Sequence, residues 1–120
     1  MRPYTRGDRV GELIKEIMAE LLQKQISDPR LAGVTITGVK VSRDLRNAKI
    51  YFATPQGADT SQAASDGFAR AHGFVKRELA QRLGLRYMPD LKFFYDTTID
   101  YSARIEQLLK AVKRNDANHH

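Results

Sequence analysis

The chain has 120 residues, 42% of them hydrophobic and 28% charged, the size and balance of one globular domain. It contains no cysteine, which excludes disulfides, thiolate zinc sites and thiol catalysis together. Twenty Lys and Arg against fourteen Asp and Glu give a net charge of +6 and a pI near 9.8. Above a pI of ~9 nucleic acid is the leading partner class, because neutralising phosphates releases counterions. An acidic protein or an anionic membrane surface would be served by the same excess. No run approaches the ~20 apolar residues of a membrane span. The start, Met1-Arg2-Pro3-Tyr4, lacks the apolar stretch of a secretory signal, so a cytoplasmic protein without membrane contact is expected.

Tyr4 to Ser27 carries Val10, Leu13, Ile14, Ile17, Leu21 and Leu22 at helical spacing, with Glu12, Lys15, Glu16 and Glu20 between them. Thr5 and Asp8 have capping-box spacing, and Asp28-Pro29 closes the helix. Arg2, Arg6 and Arg9 crowd its first turns, where the helix dipole prefers acids, and so gain a small functional weight. Val34 to Ser42 reads as a strand whose apolar parity changes phase at Gly38, which predicts a β-bulge there. Asp44-Leu45-Arg46-Asn47 is the turn of a hairpin, and Ala48, Ile50 and Phe52 alternate along its second strand. Arg43 and Arg46 lie at the tip. Thr54 to Ser61, with Pro55 and Gly57, is a loop within the domain.

Asp59 to Gly84 is helical, with Ala64, Phe68, Ala71, Val75 and Leu79 on one stripe. Asp59, Thr60 and Ser61 offer cap oxygens, and Gly84 reads as the stop. Gly67 and Gly73 interrupt the pattern, each about 1 kcal/mol worse than Ala inside a helix. The spacing fits two helices meeting at a kink in Ala71-His72-Gly73, and equally one helix with two tolerated glycines. We read the kink, with Arg70, Lys76, Arg77 and Arg82 around it. Leu91, Phe93 and Tyr95 alternate as a third strand, and Thr97 or Thr98 caps a last helix with the stripe Tyr101, Ile105, Leu108, Leu109 and Val112. From Lys113 the chain is polar, and His119-His120 reads as a tag remnant.

The order of elements predicts an α+β sandwich with helices on one face of a three-stranded sheet. The other face would carry Lys40, Lys49, Tyr51, Lys92 and Phe94, a set able to stack bases. The preferred expectation is plainer: the last helix or a partner covers Phe94.

No catalytic or metal constellation stands out. There is no phosphate-cradling Gly-rich loop and no His-Glu metal helix. His72 is the only histidine outside the tail and has no second ligand at helical spacing. Asp96 and Asp100 straddle a helix start, where capping is preferred over acid–base work. Ser42 and Ser102 have no base nearby in sequence. Neither catalysis, nor a metal, nor a cofactor is expected.

Several segments in order resemble the ribosome-binding factor A family: Ile26-Ser27-Asp28-Pro29-Arg30; Val39-Lys40-Val41-Ser42-Arg43-Asp44-Leu45 running into Ala48-Lys49-Ile50-Tyr51; Ala71-His72-Gly73-Phe74 with Lys76-Arg77; and Leu85-Arg86-Tyr87-Met88-Pro89-Asp90-Leu91. The resemblance spans about Val10 to Val112. It implies a type II KH-like domain over residues 1–113, ordered α-β-β-α-(kink)-α-β plus a C-terminal helix, with a three-stranded mixed sheet and a short polar tail over 114–120. Ordinary KH domains clamp nucleotides with a Gly-x-x-Gly loop, absent from this chain; the family instead carries an Ala-x-Gly kink, matching Ala71-His72-Gly73. Relatives often carry a glycine where this chain has Ser102-Ala103. The resemblance further implies binding of the small (30S) ribosomal subunit through its 16S rRNA during late maturation. It also implies support of rRNA 5′-end processing and of growth in the cold, with release aided in some bacteria by an assembly GTPase. The phosphate-contacting residues expected on this basis are Arg6, Arg9, Arg43, Arg46, Arg70, Lys76, Arg77 and Arg82 of a monomer. Two other readings stay open: a basic protein-interaction module, and a metal-dependent RNA-processing enzyme using Asp96 and Asp100.

Overall fold

The computed structural model describes residues 3–117. Helix α1 spans Arg6–Lys24 and opens on a true capping box. The Asp8 amide donates to Thr5 Oγ1 at 3.1 Å and the Thr5 amide donates to the Asp8 carboxylate at 2.9 Å. Such a cap stabilises a helix by about 1 kcal/mol. Val10, Ile14, Met18 and Leu21 are buried along one stripe, while Leu13, expected in the core, stays exposed. The helix ends at Lys24, earlier than expected, and a short 3-10 turn, Pro29–Leu31, follows.

Strands β1 (Thr35–Val41) and β2 (Asn47–Ala53) form the expected antiparallel hairpin, and β3 (Asp90–Tyr95) adds parallel to β2. The sheet order is β1-β2-β3. Register slips between Ile36 and Gly38, so the bulge lies where the change of parity placed it. It returns Val39 and Val41 to the side of Ile36, over the core. At the tip, Leu45 adopts φ 62°, a left-handed conformation unusual for a branched residue. Ser42, Asp44 and Arg46 brace the turn: Ser42 Oγ and the Arg46 amide both donate to Asp44.

Helix α2 runs unbroken from Ser61 to Leu83 and stops at Gly84, which takes φ 63°. The expected division into two helices at Ala71-His72-Gly73 is therefore corrected to one helix. The reason is energetic. Ala64, Phe68, Val75 and Leu79 are all fully buried on one stripe that crosses the glycine, and each large side chain gains more from burial, about 1.5–3 kcal/mol, than one glycine costs. Gly73 lies on the exposed side of that stripe, whereas Gly67 is buried against Leu31. The cap oxygens expected at the start are used otherwise: Thr60 makes no side-chain cap bond, and Ser61 Oγ donates back to the Ala58 carbonyl.

Both α1 and α2 pack on one face of the sheet, where Ile36, Ala48, Ile50, Phe52 and Leu91 join the helix stripes. Phe68 stacks on Phe93 with ring centroids 4.4 Å apart and sits 5.0 Å from Phe52. Close packing of α1 depends on Gly7 and Gly11. A β-carbon at Gly11 would stand 3.0 Å from the Val39 carbonyl oxygen, and one at Gly7 3.2 Å from that of Val41. The last helix, α3 (Thr98–Ala117), runs on through residues 114–117. Residues 101–114 are all exposed, including Tyr101, Ile105, Leu108, Leu109 and Val112. α3 thus leaves the second face of the sheet open and does not cover Phe94, which is 40% exposed.

Candidate nucleic-acid interface

The hairpin tip, the start of α1 and the segment between α2 and β3 meet at one end of the domain. They enclose a cleft lined by Arg6, Arg46, Arg86 and Tyr87, together with Asp44, Leu45, Leu85 and Met88. Three arginines from three distant segments thus share one concave site. Backbone pairing fixes the assembly, since the Asp90 amide donates to the Arg46 carbonyl at 2.7 Å. The Arg86 guanidinium lies 5.5 Å from the centre of the Tyr87 ring, itself 75% exposed. A planar cation beside an exposed ring suits both phosphate and base. Asp44 is spent on the turn: hydrogen bonds from Ser42 and the Arg46 amide hold its carboxyl below the usual range.

A second basic group lies along α2. Arg70 and Arg77 are three residues before and four after Gly73, a spacing that puts all three on one helix face. Gly73 leaves open backbone there, and the nearest heavy atom to a β-carbon built on it is the Arg77 guanidinium, at 3.6 Å. Lys76 is exposed beside them. Ala71 and His72 are half-buried, and the His72 ring meets Phe93 edge-on at 6.4 Å. His72 is a packing residue here. In the Asp28–Arg30 pair the guanidinium reaches the carboxylate at 2.7 Å, and the charge of Arg70 adds to the stabilisation of Asp28. The bonds from Arg30 hold Asp28 down to about 2.

The remaining expected contacts divide. Arg9 on α1 and Arg43 at the hairpin tip are exposed, outside the residues lining the cleft. Arg82 is differently occupied. Its guanidinium bridges Glu20 of α1 at 3.2 Å and Glu78 at 3.4 Å, tying the two core helices together. Sequence reading did not single out Arg86, which lines the cleft. Its position between a helix stop and a strand offers no periodic signal, although it stands within a segment that carries the family resemblance.

The two acids considered for catalysis are engaged in anchoring α3. Asp96 accepts from Thr37 Oγ1 at 2.6 Å and from the Thr98 amide at 3.0 Å, which holds its carboxyl below the usual range. Asp96 thus accepts from the first amide of the helix, and the Thr97 carbonyl accepts from the Tyr101 amide at 3.0 Å. Asp100 accepts from the Tyr95 hydroxyl at 2.6 Å, and that bond pushes the phenol up to about 12. Among the described residues no group of three or more His, Asp or Glu side chains is placed to hold a metal ion, and no helix is long and apolar enough to cross a membrane.

Comparison with known proteins gives a consistent result. The family model for ribosome-binding factor A matches residues 6–109. A ribosome-binding factor A from Desulfatibacillum aliphaticivorans is 45% identical over 112 residues, covering 93% of this chain and 91% of its own. The crystal structure of ribosome-binding factor A from Thermus thermophilus superposes with a TM-score of 0.66 at 26% identity, over 74% of this chain and 94% of that one. A homology model of the Thermus thermophilus factor, fitted into a cryo-EM map of a 30S–RbfA complex, gives a TM-score of 0.61 at 26% identity, over 72% of this chain and 91% of that one. With a family match across most of its length and relatives this similar, the chain belongs to the ribosome-binding factor A family.

Proposed function

We propose that this protein binds the small (30S) ribosomal subunit through 16S rRNA during late maturation. The observation that carries the reading is the cleft in which Arg6, Arg46 and Arg86 converge beside the exposed Tyr87. Nothing in the core requires three arginines to gather there, and each adds repulsion that a polyanion would relieve. In this reading the exposed Arg70, Lys76 and Arg77 around Gly73, and the exposed Arg9 and Arg43, supply further phosphate contacts. Arg82 contributes by holding α1 to α2.

In this reading the protein acts without catalysis, metal or cofactor, as a cytoplasmic monomer with one KH-like domain over residues 1–113. It holds an immature rRNA conformation and leaves when the final fold removes its site, a shift of populations rather than a reaction. It supports 5′-end processing of that RNA and growth in the cold, and an assembly GTPase acts in its release.

Co-sedimentation with purified small subunits, mature and immature, at two salt concentrations tests the reading. Retention on the immature particle, weakening as salt rises, is the expected result. Protein that remains at the top of the gradient with both particles would rule the reading out.

A further inference from the structure

The face of the sheet turned away from α1 and α2 carries an unusual arrangement. Lys40 of β1 pairs with Lys49 of β2, and Lys49 pairs with Lys92 of β3. Three lysines therefore form one row across all three strands. Like charges placed opposite each other weaken a sheet, and among the described residues no carboxylate lies within ion-pair distance of any of them. Two residues along each strand a second row runs parallel to the first: Gly38, Tyr51 and Phe94. The Tyr51 and Phe94 rings lie 5.8 Å apart, and the Lys40 ammonium sits 5.8 Å from the centre of the Tyr51 ring. At the third position of that row a β-carbon on Gly38 would meet nothing within 4 Å. Beside Tyr51 this leaves a depression walled by Thr37, Lys40, Asp96 and Thr98.

A row of cations beside a row of rings, with a vacant place at the end of the ring row, matches one kind of ligand. An acidic protein would satisfy the lysines and leave the rings idle. Duplex RNA offers phosphates but keeps its base faces stacked inside. Single-stranded RNA presents both, a charged backbone and flat bases that stack on aromatic side chains. The location fits as well. Lys49 follows Arg46 by three residues, about 10 Å along an extended strand, so a strand leaving the arginine cleft over the hairpin tip reaches the lysine row directly.

We propose that the open face of the sheet binds a single-stranded RNA segment, its phosphates on Lys40, Lys49 and Lys92 and its bases on Tyr51 and Phe94, with the gap at Gly38 admitting a base beside Tyr51. The proposal deepens the reading of the protein as an rRNA binder and rests on it.

Three variants of the full chain test it: Lys49→Glu, Phe94→Ala and Gly38→Leu, each verified as folded by its thermal transition. Gly38→Leu sets a side chain in the gap, its β-carbon clear of every neighbour by 4 Å. The probes are a labelled unstructured oligouridylate and an RNA duplex of equal length. The expected result is that Phe94→Ala and Gly38→Leu each weaken single-strand binding about tenfold, the loss of one stacked base, and leave duplex binding unchanged. Lys49→Glu weakens both. Folded Phe94→Ala and Gly38→Leu proteins that bind oligouridylate like the wild type overturn the proposal, even where Lys49→Glu has an effect, since the face is then a plain charge patch. Wild-type protein that binds the single strand no tighter than the duplex overturns it too. Subunit co-sedimentation separates the two levels. Wild type on the subunit with unchanged oligouridylate binding in all three variants removes the sheet face alone, whereas wild type off the subunit removes the subunit reading and leaves the titration to decide the sheet face.

Discussion

Gly11 and Gly73 both interrupt helices, but a methyl group would meet different surroundings at each. At Gly11 it would stand 3.0 Å from the Val39 carbonyl oxygen, a backbone atom pinned in the sheet. At Gly73 it would make an ordinary van der Waals contact, 3.6 Å from the movable end of Arg77. Alanine gains about 1 kcal/mol over glycine in a helix interior, while forcing atoms into a packed contact costs about 1–3 kcal/mol. Gly73→Ala should therefore raise the urea midpoint, by a gain of about 0.5–1 kcal/mol in stability, and Gly11→Ala should lower it. Midpoints moving in the same direction would contradict this account. The same freedom from clash means that Gly73→Leu folds yet sets a bulky side chain between Arg70 and Arg77, so subunit binding should suffer more than stability. Helical spacing marks Gly73 as an interruption and draws no attention to Gly11. What decides the matter at Gly11 is a carbonyl on β1, and helical periodicity carries no information about which strand a helix lies on.

Among the elements, α3 contrasts with the other two helices. Its stripe of Tyr101, Ile105, Leu108, Leu109 and Val112 has the spacing of a core helix, yet every one of those residues is exposed. Period identified the helix but could not say whether the stripe meets the domain. The bulge at Gly38 and the hairpin were legible because they follow from parity within a short segment; the packing of α3 depends on distant surfaces. Truncation after Ser102 should accordingly leave a cooperative transition within about 5 °C of the full chain, since little apolar area is lost to the core. A collapse of the transition would show that α3 carries the fold. Its anchor is ionic in part. Hydrogen bonds to Thr37 and Thr98 lower the carboxyl of Asp96 in the folded state, so their stabilisation is present above the unfolded value near 3.8 and fades as pH falls through the folded one. Melting temperatures recorded from neutral pH downwards should show a shallower acid decline for Asp96→Ala than for the wild type, starting from a lower neutral value. Parallel curves would deny Asp96 any part in acid unfolding.

For the molecule as a whole, a net charge of +6 says that a polyanion is welcome but not where. Folding sorts twenty basic residues into different uses, and two arginines near one another in sequence show the range. Arg82 spends its guanidinium on Glu20 and Glu78, bridging α1 and α2. Arg86 joins Arg6 and Arg46 in the cleft, over the Tyr87 ring. Neither use is visible in the chain, because Glu20 lies 62 residues from Arg82 and the cleft is assembled from three segments. A phosphate contact reveals itself in the dependence of binding on salt: each one adds close to one unit to the slope of log affinity against log salt. Arg86→Ala should therefore weaken subunit binding, flatten that slope by about one unit, and leave thermal stability unchanged. Arg82→Ala should do the reverse, keeping the slope while lowering stability by about 0–1 kcal/mol, as loss of exposed ion pairs does. Titrations of both variants against small subunits over a range of salt, beside thermal melts of the same proteins, separate a residue that meets RNA from one that holds the helices facing it. Equal slopes for Arg86→Ala and the wild type would move the phosphate contacts out of the cleft and onto the Arg70–Gly73–Arg77 face of α2.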